Sequence, residues 1–182
     1  MTSIRLSDGI VKDEILVVGL AVKAAKAAKS TSSLQIESGD IALDTKALLQ
    51  TLADLGATGK ADEVVKVPGT ATRLIVFTGL GKQSATYDNE VLRRAAGAAS
   101  RALSGNTSAT FSLPAKSLPE VAAVAEGAAL GAYSFIEFRG STKADFKAPL
   151  KTITIHSKLA TTADAKAAIS RAAIVAKYTY LV

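Results

Sequence analysis

The sequence predicts an α/β domain, a three-layer arrangement in which a mixed sheet carries helices on both faces. Two runs, residues 15–22 (Ile-Leu-Val-Val-Gly-Leu-Ala-Val) and 73–78 (Arg-Leu-Ile-Val-Phe-Thr), are apolar at consecutive positions. Only a strand covered on both faces can bury such a run. Between and after them lie stretches with helical periodicity and their own start signals, so strands and helices alternate along the chain. The whole is 182 residues with 48% hydrophobic content. That length suits one domain, since domains typically run roughly 100–200 residues.

Each element has a local cause. Residues 33–37 (Ser-Leu-Gln-Ile-Glu) alternate as a half-covered strand does. Asp44 is placed to cap a helix whose Leu48, Leu49, Leu52 and Leu55 form one stripe, with Gly56 as its stop. The strand at 73–78 is expected to end at Gly79-Leu80-Gly81. Asp88 then caps a helix carrying Val91, Leu92, Ala95, Ala99, Ala102 and Leu103, which stops near Gly105. Residues 107–113 read as a strand. Ser117-Leu118-Pro119-Glu120 is a capping box with proline in the first turn, opening a helix through Val121, Val124, Ala128 and Ala132. Residues 150–156 alternate around Ile153 and Ile155. A last helix starts near Thr161 or Thr162 and runs through Ile169, Ala173, Val175 and Ala176. Residues 58–69 and 139–149 read as loops within the one domain.

Composition excludes several chemistries. There is no cysteine, so no disulfide framework, thiolate nucleophile or cysteine-held zinc is available. A single histidine rules out His-rich metal sites. The excess of 22 Lys+Arg over 16 Asp+Glu gives +6, which permits an anionic partner without requiring one. The mean hydropathy of +0.26 comes from alanine rather than from a spanning segment. The run at 15–22 is far below the ~20 residues a membrane helix needs, and Asp13 and Glu14 stand where a secretory signal would carry positive charge. A cytoplasmic, non-membrane location is expected.

Candidate motifs resolve mostly into architecture. Gly79-Leu80-Gly81-Lys82-Gln83-Ser84 follows a buried strand, where phosphate-cradling loops sit, but lacks the third glycine of the dinucleotide pattern and the Gly and Lys-Ser/Thr of the P-loop. A tight turn is the expectation. Lys23, Lys26 and Lys29 form the densest basic stretch, with no aromatic interleaved for base stacking; solvated lysines are expected, dispensable for stability and function. Arg93, Arg94 and Arg101 share one helix and could form part of an anion site, although solvated charges are the commoner outcome. Gly127 and Gly131, four apart, suit close helix packing. His156 sits at a strand end without a serine nucleophile motif or an acidic orienter, so an edge or surface position is expected. The carboxylates Glu37, Asp40, Asp44, Asp54, Asp62 and Glu63 are scattered over caps and loops and form no two-metal cluster. No catalytic, cofactor-binding or metal-binding residue is therefore assigned to residues 1–182.

The closing residues Tyr178-Thr179-Tyr180-Leu181-Val182 contain no Gly, Asn or Pro and grow more apolar towards the end. Helices usually close with a cap and chain termini are usually polar, so the chain is expected to be the first part of a longer polypeptide.

Three stretches, in order, resemble the N-terminal domain of the leucyl aminopeptidase (cytosol aminopeptidase) family. They are Val76-Phe77-Thr78-Gly79-Leu80-Gly81-Lys82 with the following Asn89-Glu90-Val91-Leu92-Arg93-Arg94-Ala95-Ala96-Gly97-Ala98-Ala99; Val124-Ala125-Glu126-Gly127-Ala128-Ala129-Leu130-Gly131-Ala132-Tyr133-Ser134-Phe135; and the closing helix from Ala172. The resemblance covers about residues 70–182, while the first 70 match in strand-helix order alone. Phe138-Arg139-Gly140 departs from the Tyr-Lys pair often found in the family. The resemblance implies a mixed sheet similar to macro domains, with the helix at about 162–182 leading towards a C-terminal catalytic domain absent from this sequence. It also implies peptide hydrolysis from the N-terminus by two divalent metals (zinc, manganese or magnesium) and assembly into hexamers. The family's metal-binding signature Asn-Thr-Asp-Ala-Glu-Gly-Arg belongs to that catalytic domain and occurs nowhere here, so no metal ligand carries over. Two functions follow as expectations: a non-catalytic domain supporting assembly and active-site access, or a free-standing macro-like module for a nucleotide, ADP-ribose or nucleic acid.

Overall fold

Among the described residues seven strands, β1 (Ser3–Ser7), β2 (Ile15–Lys23), β3 (Ser33–Glu37), β4 (Val64–Pro68), β5 (Leu74–Lys82), β6 (Ser108–Ser112) and β7 (Thr152–His156), form one sheet; six follow the order β1-β7-β6-β2-β5-β4, and β3 pairs with β2 off this path. The computed structural model describes residues 2–10, 14–24, 33–39, 41–134 and 147–180. Pairings β1–β7, β7–β6, β6–β2 and β2–β5 are parallel, whereas β4–β5 and β2–β3 are antiparallel, so the sheet is mixed. The two apolar runs are both internal. One edge of β2 pairs with β5 along its length; the other pairs with β6 over Ile15–Val18 and with β3 over Gly19–Lys23.

Four helices are described: α1 (Thr45–Asp54), α2 (Asn89–Ala102), α3 (Leu118–Gly131) and α4 (Ala163–Thr179). Their starts follow the expected chemistry. Asp44 accepts from the Ala47 amide at 3.3 Å, Asp88 from Glu90 at 2.8 Å and Thr162 from Ala165 at 3.3 Å. Glu120 reaches back to accept from the Ser117 amide at 2.8 Å, satisfying a donor that the helix itself cannot. Gly56 and Gly105 terminate α1 and α2 in the left-handed region, at φ 72° and 93°.

The helices divide unequally. One core joins Ile15, Val17, Val76, Phe111, Ile153 and Ile155 to the faces of α2, α3 and α4. The second joins Leu16, Val18, Leu20, Ile75 and Phe77 to Leu52 and its neighbours on α1. Both faces of β2 and β5 are thus apolar, which accounts for their unbroken runs.

Four sequence expectations change. Residues 58–69 are not all loop, because they contain β4, an edge strand whose Lys66 and Pro68 interrupt the apolar pattern and suit a sheet edge. Strand β1 forms the other edge and was not anticipated. Leu55 falls at the α1 C-cap and stays 57% exposed, outside the leucine stripe. On α4 the buried residues are Ala165, Ile169, Ala172 and Ala176, while Ala173 is half-buried and Val175 exposed. The loop expected at 139–149 lies outside the described residues as far as 146.

Candidate functional site

The sites suggested by the sequence separate once the chain is folded. Gly79-Leu80-Gly81 does not leave the sheet; it lies within β5 and makes a bulge, since Leu20 pairs with Gly79 and Ala21 with Gly81. The Gly79 amide donates to Glu63 O and the Gly81 amide to Gly59 O, both at 2.9 Å, and Gln83 donates to Val22 O at 2.8 Å. These amides are spent on the protein, so they cannot cradle a phosphate. Glycine is required at 79 because a Cβ there would overlap the Lys60 carbonyl, 2.6 Å from its carbon. The loop seated on the bulge is held by the Glu63 carboxylate, which accepts from the amides of Thr58 at 3.0 Å and Gly59 at 2.5 Å.

His156 is not on the surface. It is 7% exposed and ends β7, an internal strand flanked by β1 and β6. Its Nδ1 lies 3.1 Å from Ser112 Oγ, and that hydroxyl donates to Ser38 O at 2.7 Å. With its proton committed to Ser38, Ser112 accepts from the imidazole, so His156 carries hydrogen on Nδ1. The histidine ties β7 through β6 to the turn after β3. On the same strands Thr154 accepts from Arg5 Nε at 2.8 Å, and Thr110 donates to Glu14 at 2.7 Å. Among the described residues no acidic side chain bonds to the imidazole, and the bonds that His156 and Ser112 make tie strands together.

The carboxylates are engaged individually. Asp44 and Asp88 cap helices, Asp54 accepts from Gln50 at 2.9 Å, Asp62 pairs with Arg94, and Glu90 and Glu126 share Arg93. Asp40 lies outside the described residues. Among the described residues no group of three His, Cys, Asp or Glu converges as a metal site requires. The donor set therefore does not fit a two-metal centre, and no step through a metal is assigned to these residues.

Lys23 is exposed at the end of β2, while Lys26 and Lys29 lie outside the described residues. Among those residues no helix is long and apolar enough to cross a membrane.

The arginines of α2 do come together. Arg93, Arg94 and Arg101 line one groove of about 400 Å³ over the α2–α3 crossing, beside Asp62 and above Gly97, Gly127 and Gly131. The glycines have a packing cause. A Cβ on Gly127 would overlap the Arg93 carbonyl oxygen, and one on Gly131 would lie 2.6 Å from the Gly97 Cα.

The end of α4 forms a second feature, which sequence reading did not single out. Tyr133 and Tyr180 stack with centroids 4.6 Å apart, and Tyr180 donates its hydroxyl hydrogen to Ala129 O. Burial pushes the Tyr180 pKa up to about 12. The stack walls a cavity of about 340 Å³ that also touches Leu150 and Lys151. Tyr133 itself remains exposed, as do Ile174, Val175 and Tyr178 on another side of α4. The apolar chain end noted in the sequence is the signal that could have located this face.

Comparison with known proteins places the chain in a family. Residues 15–142, more than half the chain, match the family described as "Cytosol aminopeptidase family, N-terminal domain". A probable cytosol aminopeptidase of Streptomyces griseus is 44% identical over 152 residues, covering 77% of this chain and 28% of that protein. One from Streptomyces avermitilis is 35% identical over 193 residues, covering 96% and 37%. The chain thus spans about a third of these relatives' length or less. Among solved structures, a mutant of tomato leucine aminopeptidase superposes with a TM-score of 0.65 at 19% identity, covering 97% of this chain and 36% of that one. The bottromycin maturation enzyme BotP in complex with Mn gives 0.60 at 19%, covering 93% and 30%. At these identities the two structures establish likeness of fold.

Proposed function

Since the chain belongs to the cytosol aminopeptidase family and corresponds to its N-terminal domain, we propose that it is the non-catalytic part of a cytoplasmic, metal-dependent aminopeptidase. In this reading a C-terminal catalytic domain removes N-terminal residues from peptides with two divalent metals, manganese or zinc, and the whole protein assembles as a hexamer. The domain described here supports that assembly and shapes access to the active sites. The observation that carries the reading is the division of length: the match is to an N-terminal family unit, and the relatives extend well beyond it.

Two features support it. Among the described residues, carboxylates such as Asp44, Asp88, Asp62, Glu90 and Glu126 serve caps and ion pairs, the single histidine contacts Ser112, and no three ligating groups converge as a metal site for hydrolysis requires. Ile174, Val175 and Tyr178 form an exposed apolar stripe on α4, and burying such side chains against a partner domain stabilises the contact by roughly 25 cal/mol per Å² of apolar surface removed from water. That stripe is the proposed seat of the catalytic domain.

The test compares the purified 182-residue chain with the same chain joined to a family catalytic domain, using a leucine anilide substrate and manganese. Hydrolysis is expected from the joined protein alone. Turnover by the 182-residue chain that a chelator abolishes would overturn the proposal.

A further inference from the structure

We infer that the groove over the α2–α3 crossing is a binding site for a small multivalent oxyanion of the phosphate or pyrophosphate type. The geometry begins with helix periodicity. Arg93, Gly97 and Arg101 are spaced by four, so they lie along one stripe of α2, and Arg94 joins Arg101 seven residues apart. The absent side chain at Gly97 leaves a gap between two arginines. Gly127 on α3 deepens it, because the helices approach until backbone meets backbone. The resulting volume of about 400 Å³ lies within the range of small-molecule sites, roughly 300–1,000 Å³.

The guanidinium groups differ in their commitments. Glu90 and Glu126 hold Arg93, and Asp62 holds Arg94, which fixes the direction of both planes. Each guanidinium has five N–H donors, and Arg94 spends one of them on Asp62. Arg101 has no carboxylate partner among the described residues. Its Nη1 lies 3.4 Å from the point where a Gly97 Cβ would stand, so the side chain folds back over the groove floor. An unpaired cation is therefore held above a cleft whose rim supplies two further, oriented guanidinium groups. A multivalent oxyanion satisfies their unspent donors with charge-assisted hydrogen bonds, and the planar fork of arginine matches its paired oxygens. A carboxylate side chain would satisfy one arginine; a phosphate-type anion bridges several.

The probe is inorganic pyrophosphate, titrated calorimetrically into the intact chain at about 0.02 M ionic strength, where screening is weak. Saturable one-to-one binding is expected. Arg101→Gln should weaken it by about tenfold, the equivalent of one charge-assisted hydrogen bond, and Arg94→Gln should weaken it as well. Arg171→Gln removes the same charge from a different groove, between α3 and α4, and should leave the affinity within about twofold. All three side chains are exposed, and circular dichroism confirms that each variant is folded. Absence of saturation, an unchanged affinity in Arg101→Gln, or an equal loss in Arg171→Gln would overturn the inference, the last because it reports the surface charge as a whole.

Discussion

Replacing Gly127 by alanine tests the helix crossing that organises one face of the sheet. A Cβ at that position would overlap the Arg93 carbonyl oxygen and lie 2.7 Å from its carbon and 2.8 Å from the Arg93 Cα. Carbon atoms pack at about 3.5–4.0 Å, so α2 and α3 must part by roughly 1 Å. The obstacle is helix backbone, which cannot rotate aside as a side chain can. Overpacking of this kind costs roughly 1–3 kcal/mol and occasionally more. Alanine returns about 1 kcal/mol through its better helix propensity. With rigid backbone on both sides the upper part of the cost applies, leaving a net loss of about 2 kcal/mol. For a chain of this size that lowers Tm by roughly 4–8 °C. The control is Gly97→Ala, whose Cβ would meet Gly127 O at 3.3 Å and Arg101 Nη1 at 3.4 Å. There the neighbours must give by only a few tenths of an ångström, so the helix gain offsets the strain and stability stays within about 1 kcal/mol. Thermal unfolding followed by far-ultraviolet circular dichroism reads both variants. A Gly127→Ala chain that melts at or above the parent temperature would refute the close-crossing argument.

Ser112→Ala removes the hydroxyl that links His156 to Ser38 and leaves a buried imidazole N–H unpaired, which should cost about 1–3 kcal/mol in urea unfolding; an unchanged midpoint would show that the network holds nothing. Glu63→Gln weakens the grip on the Thr58 and Gly59 amides, for about 1 kcal/mol, and should speed hydrogen exchange at Gly79 and Gly81, whose amides bond to that loop. Unaltered exchange there would separate the loop from the bulge. Tyr180 has its folded pKa raised from 10.0 to about 12, so the fold favours the protonated phenol. Its contribution to stability is complete below pH 10 and is lost as pH rises through 12. Burial also raises the Tyr87 pKa, so phenolate absorbance should contain a late-titrating component that Tyr180→Phe reduces by one tyrosine; an unchanged late component would refute the assignment.

The sequence by itself determined the elements whose causes are local. The runs at β2 and β5 could be buried only inside a two-sided sheet, and Asp44, Asp88, Thr162 and the Ser117-to-Glu120 box fixed the helix starts through single side-chain-to-backbone bonds. Gly127 and Gly131 were legible as packing glycines because a spacing of four places both on one helix face. The ordered stretches around Gly79, Gly127 and Ala172 were enough to indicate the family.

Tertiary structure decided what depends on neighbours distant in sequence. Five-residue strands such as β1 and β4 have little pattern of their own; each exists because β7 or β5 presents an open row of amides and carbonyls to it. Gly79-Leu80-Gly81 reads as a turn in isolation and becomes a bulge because the loop at 58–63 supplies acceptors for its amides. His156 reads as an edge residue until β1 and β6 close on both sides of its strand, and its partner Ser112 is 44 residues away. The arginine groove and the Tyr133–Tyr180 stack likewise arise from elements brought together by the sheet. Local sequence specifies dihedral preference and capping, whereas register, burial and long-range hydrogen bonds are fixed only when the whole chain packs.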